Sequence, residues 1–165
     1  MNEKTFNLRD IKIIHLDPQR IAEPEWQLLL SADPSRDMVE AYLSEEYSRI
    51  AYHSTRPVAV YAMTRVNATC FEINNLAVLG SYQGIGLGRR MLGHALGLAE
   101  SRGAREVLIS TANSSLRNLR FYQQVGFRMI AVEPDYFPRH YSETIVEDGI
   151  PCLDRILMKM TLEPE

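Results

Sequence analysis

A chain of 165 residues, 45% of them hydrophobic and 24% charged, is long enough to bury one sizeable core, so a single soluble domain over 1–165 is expected. A net charge of −3, with Lys and Arg scattered and no run of either, argues against a nucleic-acid partner, which would need a basic face or tail. No apolar stretch is long enough to span a bilayer, and the start MNEKTFNLRD lacks the apolar core of a signal peptide. The expectation is a cytoplasmic protein with no membrane partner.

In chain order, FNLRDIKIIHL (6–16) alternates and reads as a first strand. Helical patterns follow over Arg20–Leu30 and Ser35–Tyr47. Asp33-Pro34 breaks them, and Ser35 is placed to cap the second. Three short apolar runs come next, SRIAYH (48–53), PVAVYAMTRV (57–66) and TCFEINNLAVL (69–79), the last two joined by an Asn67 turn that predicts an antiparallel hairpin. From Gly86 the period changes. Leu87, Met91, Leu92, Ala95, Leu98 and Ala99 form one helical stripe, stopped at Gly103. REVLIST (105–111) predicts a strand, SSLRNLRFYQQVGF (114–127) a helix ending at Gly126, and FRMIAV (127–132) a strand. An irregular acidic connection then leads to a final strand, RILMKMTL (155–162). The fold class expected is α/β (α+β): a mixed, mostly antiparallel sheet of about seven strands flanked by helices.

The junction SYQGIGLGRR (81–90) places three alternate glycines where a strand gives way to a helix. Such a turn exposes successive backbone N–H groups beside a positive helix end, a setting that favours an anion, and Arg89 and Arg90 add charge. Glycines for packing alone are the simpler reading of an isolated GxG. A dinucleotide loop fails because the sixth position counted from Gly84 is Arg89, and a phosphate loop of the Gly-Lys-Ser/Thr type has no counterpart here.

Gln83-x-x-Gly86-x-Gly88 matches the Q/R-x-x-G-x-G/A signature of the GNAT acetyltransferase superfamily, and the chain resembles that family well beyond the loop. FEINNLAV looks like its fourth strand, and the loop opens a long amphipathic helix. ANSSLRNLRFYQQVGF resembles its second coenzyme-side segment, with Tyr122 five residues before Phe127. The resemblance implies that acetyl-CoA is the cosubstrate, its pyrophosphate held by Gln83, Gly84, Ile85, Gly86, Leu87, Gly88 and Arg89. It implies that Leu76, Ala77 and Val78 pair with pantetheine from a splayed strand, with the Val78 N–H as oxyanion donor. One departure stands out. The family often has Asn seven residues before its tyrosine, and here Ser115 holds that place, leaving the pantetheine contact open among Asn113, Ser115 and Asn118. The stretch DYFPRHYSETIVEDGIPCLDRILMKM resembles a bacterial subgroup whose acceptors are mostly unassigned.

Acyl transfer to an amine needs a donor for the departing thiolate and an acceptor for the ammonium proton. Tyr122, protonated at neutral pH, is the candidate acid, against the reading of a core tyrosine. Glu72, eleven residues before Gln83, is the candidate base, against an ordinary polar strand residue. Asn74 shares its strand face and is placed to order water or substrate. His15, His53, His94 and His140 have no metal-ligand spacing, so no metal is expected, and His94 reads as a surface or packing residue. Cys70 and Cys152, without CxxC spacing, read as reduced core thiols. Glu133, Asp135, Glu143, Glu147, Asp148 and Asp154 face only Arg139 and Arg155 in the last connection, so an acidic lid for a cationic amine and a merely solvated loop both stand. The reading is an N-acetyltransferase that passes acetyl from acetyl-CoA to a primary amine of a small molecule or protein, by direct attack in a ternary complex. A catalytically silent CoA-binding sensor with the same fold is the alternative, and a homodimer is compatible with either.

Overall fold

The computed structural model describes residues 7–162. A short 3-10 turn (Leu8–Asp10) leads into β1 (Ile11–His15), then α1 (Glu23–Ala32), α2 (Arg36–Tyr42), β2 (Ser48–His53), β3 (Arg56–Asn67) and β4 (Cys70–Val78). After a second 3-10 turn (Gly80–Tyr82) come α3 (Leu87–Ser101), β5 (Glu106–Ala112), α4 (Leu116–Val125) and β6 (Arg128–Glu133). They are followed by α5 (Tyr136–His140), the two-residue strands β7 (Val146–Glu147) and β8 (Ile150–Pro151), and β9 (Arg155–Thr161). Seven strands form one mixed, mostly antiparallel sheet in the order β1-β2-β3-β4-β5-β9-β6, with β7 and β8 a separate hairpin. Among the described residues no helix is long and apolar enough to cross a membrane.

Four expectations are corrected. The first strand is shorter than 6–16 because Asn7 accepts from the Arg9 N–H at 2.9 Å and holds residues 8–10 in a turn. Phe6, where that stretch begins, lies outside the described residues. The first helix starts at Glu23 rather than Arg20, with Pro24 in its opening turn, where a missing N–H costs no hydrogen bond. The second is capped by Ser35 as expected but ends at Tyr42, where Ser44 and the following residues turn back on themselves. Finally, the connection expected to be irregular contains α5 and the β7–β8 hairpin.

The chain divides into two compact units, taken here over their described residues: Met1–Thr64 with Asn74–Leu98, and Arg65–Ile73 with Ala99–Glu165. In the first, β2 lies antiparallel to both β1 and β3. Its core gathers Leu16, Trp26, Leu28, Leu29, Val39, Ile50, Val60 and Ala77. Asn75, 2% exposed, ties this core together: its amide donates to the Leu29 carbonyl at 3.0 Å and to the Tyr42 hydroxyl at 2.8 Å. From α3, Leu87, Met91, Leu92 and Ala95 are buried as the 3.6-residue stripe requires.

In the second unit, β5 runs parallel to the start of β4 (Cys70↔Glu106 through Ile73↔Ile109) and antiparallel to β9, which pairs on its other side with β6. Alternation sorts this sheet by face. Phe71, Ile73, Val107, Ile109, Ile156 and Met158 are buried on one side. The register puts Glu72, Leu108, Ser110, Arg155, Leu157 and Lys159 on the other, all half-buried. One face is dry packing and the other carries charge, and the second matters for chemistry.

Candidate active site

The strand-to-helix junction is built on two left-handed glycines. Gly84 has φ +78° and Gly86 φ +89°, conformations that a Cβ would strain by about 1–2 kcal/mol each. A Cβ at Gly84 would meet no atom within 4 Å, so the backbone there borders open space rather than a packed wall. The first intrahelical bond of α3 is Arg90 N–H to the Gly86 carbonyl at 3.0 Å. The N–H groups of Leu87, Gly88 and Arg89 therefore have no partner within the helix and stand at its positive end. Arg89 is exposed beside them. Arg90 is not available as the sequence suggested: its guanidinium donates to the carbonyls of Leu8 and Ile11 and fastens α3 to the start of the chain.

Gln83, though exposed, folds back onto β4. Its side-chain amide donates to the Val78 carbonyl at 2.9 Å, and the Leu79 N–H donates to Val58 at 2.8 Å. The end of β4 and the glycine turn are thus one hydrogen-bonded piece, with Ala77 buried and Leu76 and Val78 half-buried along it. Ile85, at the turn's tip, is 40% exposed. Asn74 accepts from the Thr64 hydroxyl at 2.9 Å.

In the second unit, Glu72 is half-buried and makes no hydrogen bond or ion pair among the described residues. Burial pushes its carboxyl above the usual range, with Arg155 pulling the other way. Tyr122 is 5% exposed, packed edge-on against Phe127 and beside Phe121. Its ring behaves as core, while its hydroxyl has no hydrogen-bond partner among the described residues and is not sealed from solvent. Burial raises its pKa well above the ordinary phenol value, so the proton stays on oxygen at neutral pH. Such a group donates a hydrogen bond to a developing thiolate more readily than it hands the proton over.

The three residues among which the sequence could not choose are separated by the structure. Asn113 is a staple: its Oδ1 accepts from the backbone N–H groups of Leu153 at 2.8 Å and Asp154 at 3.0 Å, and its Nδ2 donates to the Pro151 carbonyl at 3.1 Å. Ser115 donates to Glu147, as does the buried Ser114 at 2.9 Å. Asn118 is exposed, makes no hydrogen bond among the described residues, and lies one helical turn before Tyr122 on the same face.

Part of the acidic connection is engaged from within. Glu133 pairs with Arg139 at 3.3 Å and Arg155 at 3.0 Å, Asp154 accepts from the Asp135 N–H, and Glu147 caps the two serines. Cys70 and Cys152 are free and buried, and burial raises both thiols, which disfavours the thiolate at each. His94 bonds through Nδ1 with the Tyr61 hydroxyl at 2.8 Å, a packing role.

The model of the acetyltransferase (GNAT) family matches residues 15–127. A protein named "Uncharacterized N-acetyltransferase YvbK" from Bacillus subtilis is 38% identical over 137 residues, covering 83% of this chain and 88% of that relative. A GNAT family acetyltransferase from Elizabethkingia anophelis, solved with acetyl-CoA bound, superposes with a TM-score of 0.85 at 30% identity, covering 93% of this chain and 99% of that one. A Bacillus subtilis acetyltransferase in complex with CoA gives 0.84 at 35% identity, with the same coverage of 93% and 99%.

The Asn113 staple carries a stability prediction. Asn113→Ala removes three hydrogen bonds that hold residues 151–154 and should cost about 2 kcal/mol, or roughly 5 °C in Tm. A thermal denaturation curve that does not move would show that the staple contributes nothing.

Proposed function

Because this chain belongs to the acetyltransferase (GNAT) family, whose members are acetyl-CoA-dependent N-acetyltransferases, we propose a division of labour among its own residues in direct transfer to a primary amine. Acetyl-CoA supplies an activated acyl group, whose C–S bond breaks as the new N–C bond forms. The N–H groups at the start of α3, with Gly84 and Gly86 giving close approach, suit its pyrophosphate. Gln83 acts as a positioning residue, because its amide is already committed to Val78. The Val78 N–H is assigned to the acyl oxygen, with Leu76 and Ala77 continuing the strand edge for pantetheine. Asn118 takes the remaining pantetheine contact, since the polar groups of Asn113 and Ser115 are engaged elsewhere.

Tyr122 donates to the departing sulfur and Glu72 accepts the ammonium proton, directly or through water. The observation that carries this assignment is that Tyr122 packs its ring as core while its hydroxyl bonds to no group of the described residues and is left open to an incoming sulfur. The acceptor is a primary amine of a small molecule or a protein.

Tyr122→Phe is expected to lower kcat about 10²-fold with acetyl-CoA affinity nearly unchanged, because only the donor is lost. Full turnover in that variant, with chemistry rate-limiting, would return Tyr122 to the core. For Glu72 the sign follows from its environment. A carboxyl raised by burial must lose its proton before it can accept one, so kcat/KM should climb through a pH above the usual glutamate value. Glu72→Gln should abolish that limb and lose about 10²-fold at neutral pH. Activity should return at high pH, where the amine is neutral without help. A pH–rate profile identical to that of the wild type would assign the proton to another group.

A further inference from the structure

The seven-strand sheet ends on β6, which is exposed from Arg128 through Val132. Met129, Ile130 and Val132 are 50%, 49% and 58% exposed, an apolar run on an unpaired edge, where soluble chains ordinarily place charge or proline. Beside it, Leu116, Leu119 and Arg120 of α4 line an open groove of about 530 Å³ together with Met129.

The register of β6 on β9 shows what this edge fits. A bulge sets six residues of β6 against five of β9. Arg128, Met129, Ala131, Val132 and Glu133 stand opposite Lys159, Met158, Leu157, Ile156 and Arg155, and Ile130 is the extra residue. Paired residues share a face, so Arg128, Ala131 and Glu133 lie on the charged side, and Met129 and Val132 on the apolar side. In a regular strand residues 128 and 133 would fall on opposite faces. The bulge brings them to one face and makes the paired positions read the same in both directions: charged, apolar, Ala131, apolar, charged. A second β6, turned about a two-fold axis through Ala131, meets the first with Arg128 opposite Glu133, Met129 opposite Val132 and Ala131 opposite itself.

The charges at the two ends agree with that pairing. Where β6 stops, Glu133, Asp135 and Asp154 stand against Arg139 and Arg155, one carboxylate in excess. Where it starts, Lys159 is committed to Glu106 at 2.7 Å, and Arg128 is exposed with no ion pair among the described residues. Antiparallel pairing brings each acidic end to the other copy's free arginine, whereas a parallel approach sets like charge against like. We propose that the partner of this edge is a second copy of the chain, in a two-fold dimer whose β6 strands pair antiparallel and carry the sheet across the interface.

Sedimentation velocity should show the wild type as a dimer at about 10–100 μM. Val132→Lys puts two lysines into the symmetric interface and should weaken the dimer at least about 10²-fold, as should Met129→Asp. Both positions are half exposed in the single chain, so each variant should keep the wild-type circular dichroism spectrum. Mixed in equal amounts, the two variants should dimerise with each other, because position 129 of either copy faces position 132 of the other. A wild type that stays monomeric over this range would overturn the inference. So would a dimer untouched by Val132→Lys, or two folded variants that remain monomeric when mixed. Should either variant fail to fold, Arg128→Glu sets acid against acid at the rim and should weaken the dimer about tenfold. An unaffected dimer there would equally rule out the pairing.

Discussion

The left-handed turn at Gly84 and Gly86 is the constraint on which the first unit's chemistry depends. A strand that must become a helix within a few residues cannot do so through ordinary φ values, and two glycines remove the penalty. The same turn leaves the first N–H groups of α3 without carbonyl partners within the helix. Gln83 then locks the turn to β4 through Val78, and Arg90 fixes the following helix to the beginning of the chain. If this turn holds an anion as proposed, the hydrogen bonds that already fix it reduce the ordering that binding must supply.

A second regularity separates scaffold from site. Asn113, Ser114, Ser115, Glu147 and Arg90 have their polar groups engaged, as does the amide nitrogen of Asn75, and each joins elements that would otherwise be held by packing alone. Tyr122, Glu72, Asn118 and the Nε–H of Arg155 do not. Leaving a buried or half-buried polar group without a partner is destabilising, which is why Tyr122, Glu72 and Asn118 are the residues to which the proposed function gives ligand contacts. The two faces of the β4–β5–β9 sheet show the same division. One is apolar and packed, and the other carries the Lys159–Glu106 and Arg155–Glu133 ion pairs with Glu72 unpaired on β4.

Much of this was legible in the residues. The spacing of Gln83, Gly86 and Gly88, and of Tyr122 and Phe127, depends only on local backbone geometry, which short motifs specify well. The α3 stripe and the Ser35 cap followed for the same reason. What the sequence could not show were partnerships between distant segments. Nothing near Asn113 announces that its amide will staple residues 151–154, some 40 positions away. Arg90 looked like part of the anion site because its partner carbonyls lie at Leu8 and Ile11. The α5 helix was hidden by Pro138 within a five-residue segment, and the β7–β8 hairpin by strands of two residues each, too short for alternation to register. The acidic residues there looked available to a cation because their arginine and serine partners come from other elements.

The central claim, that the glycine turn holds the anionic part of acetyl-CoA, is tested most directly by calorimetric titration of acetyl-CoA into Gly88→Asp. Residue 88 lies in the first turn of α3, where φ is helical and an aspartate favours the helix dipole, so the variant should fold at least as well as the wild type. It nevertheless puts a carboxylate where the pyrophosphate would sit. The account predicts a loss of at least about 10²-fold in affinity with an unchanged circular dichroism spectrum. Wild-type affinity in the folded variant would contradict it.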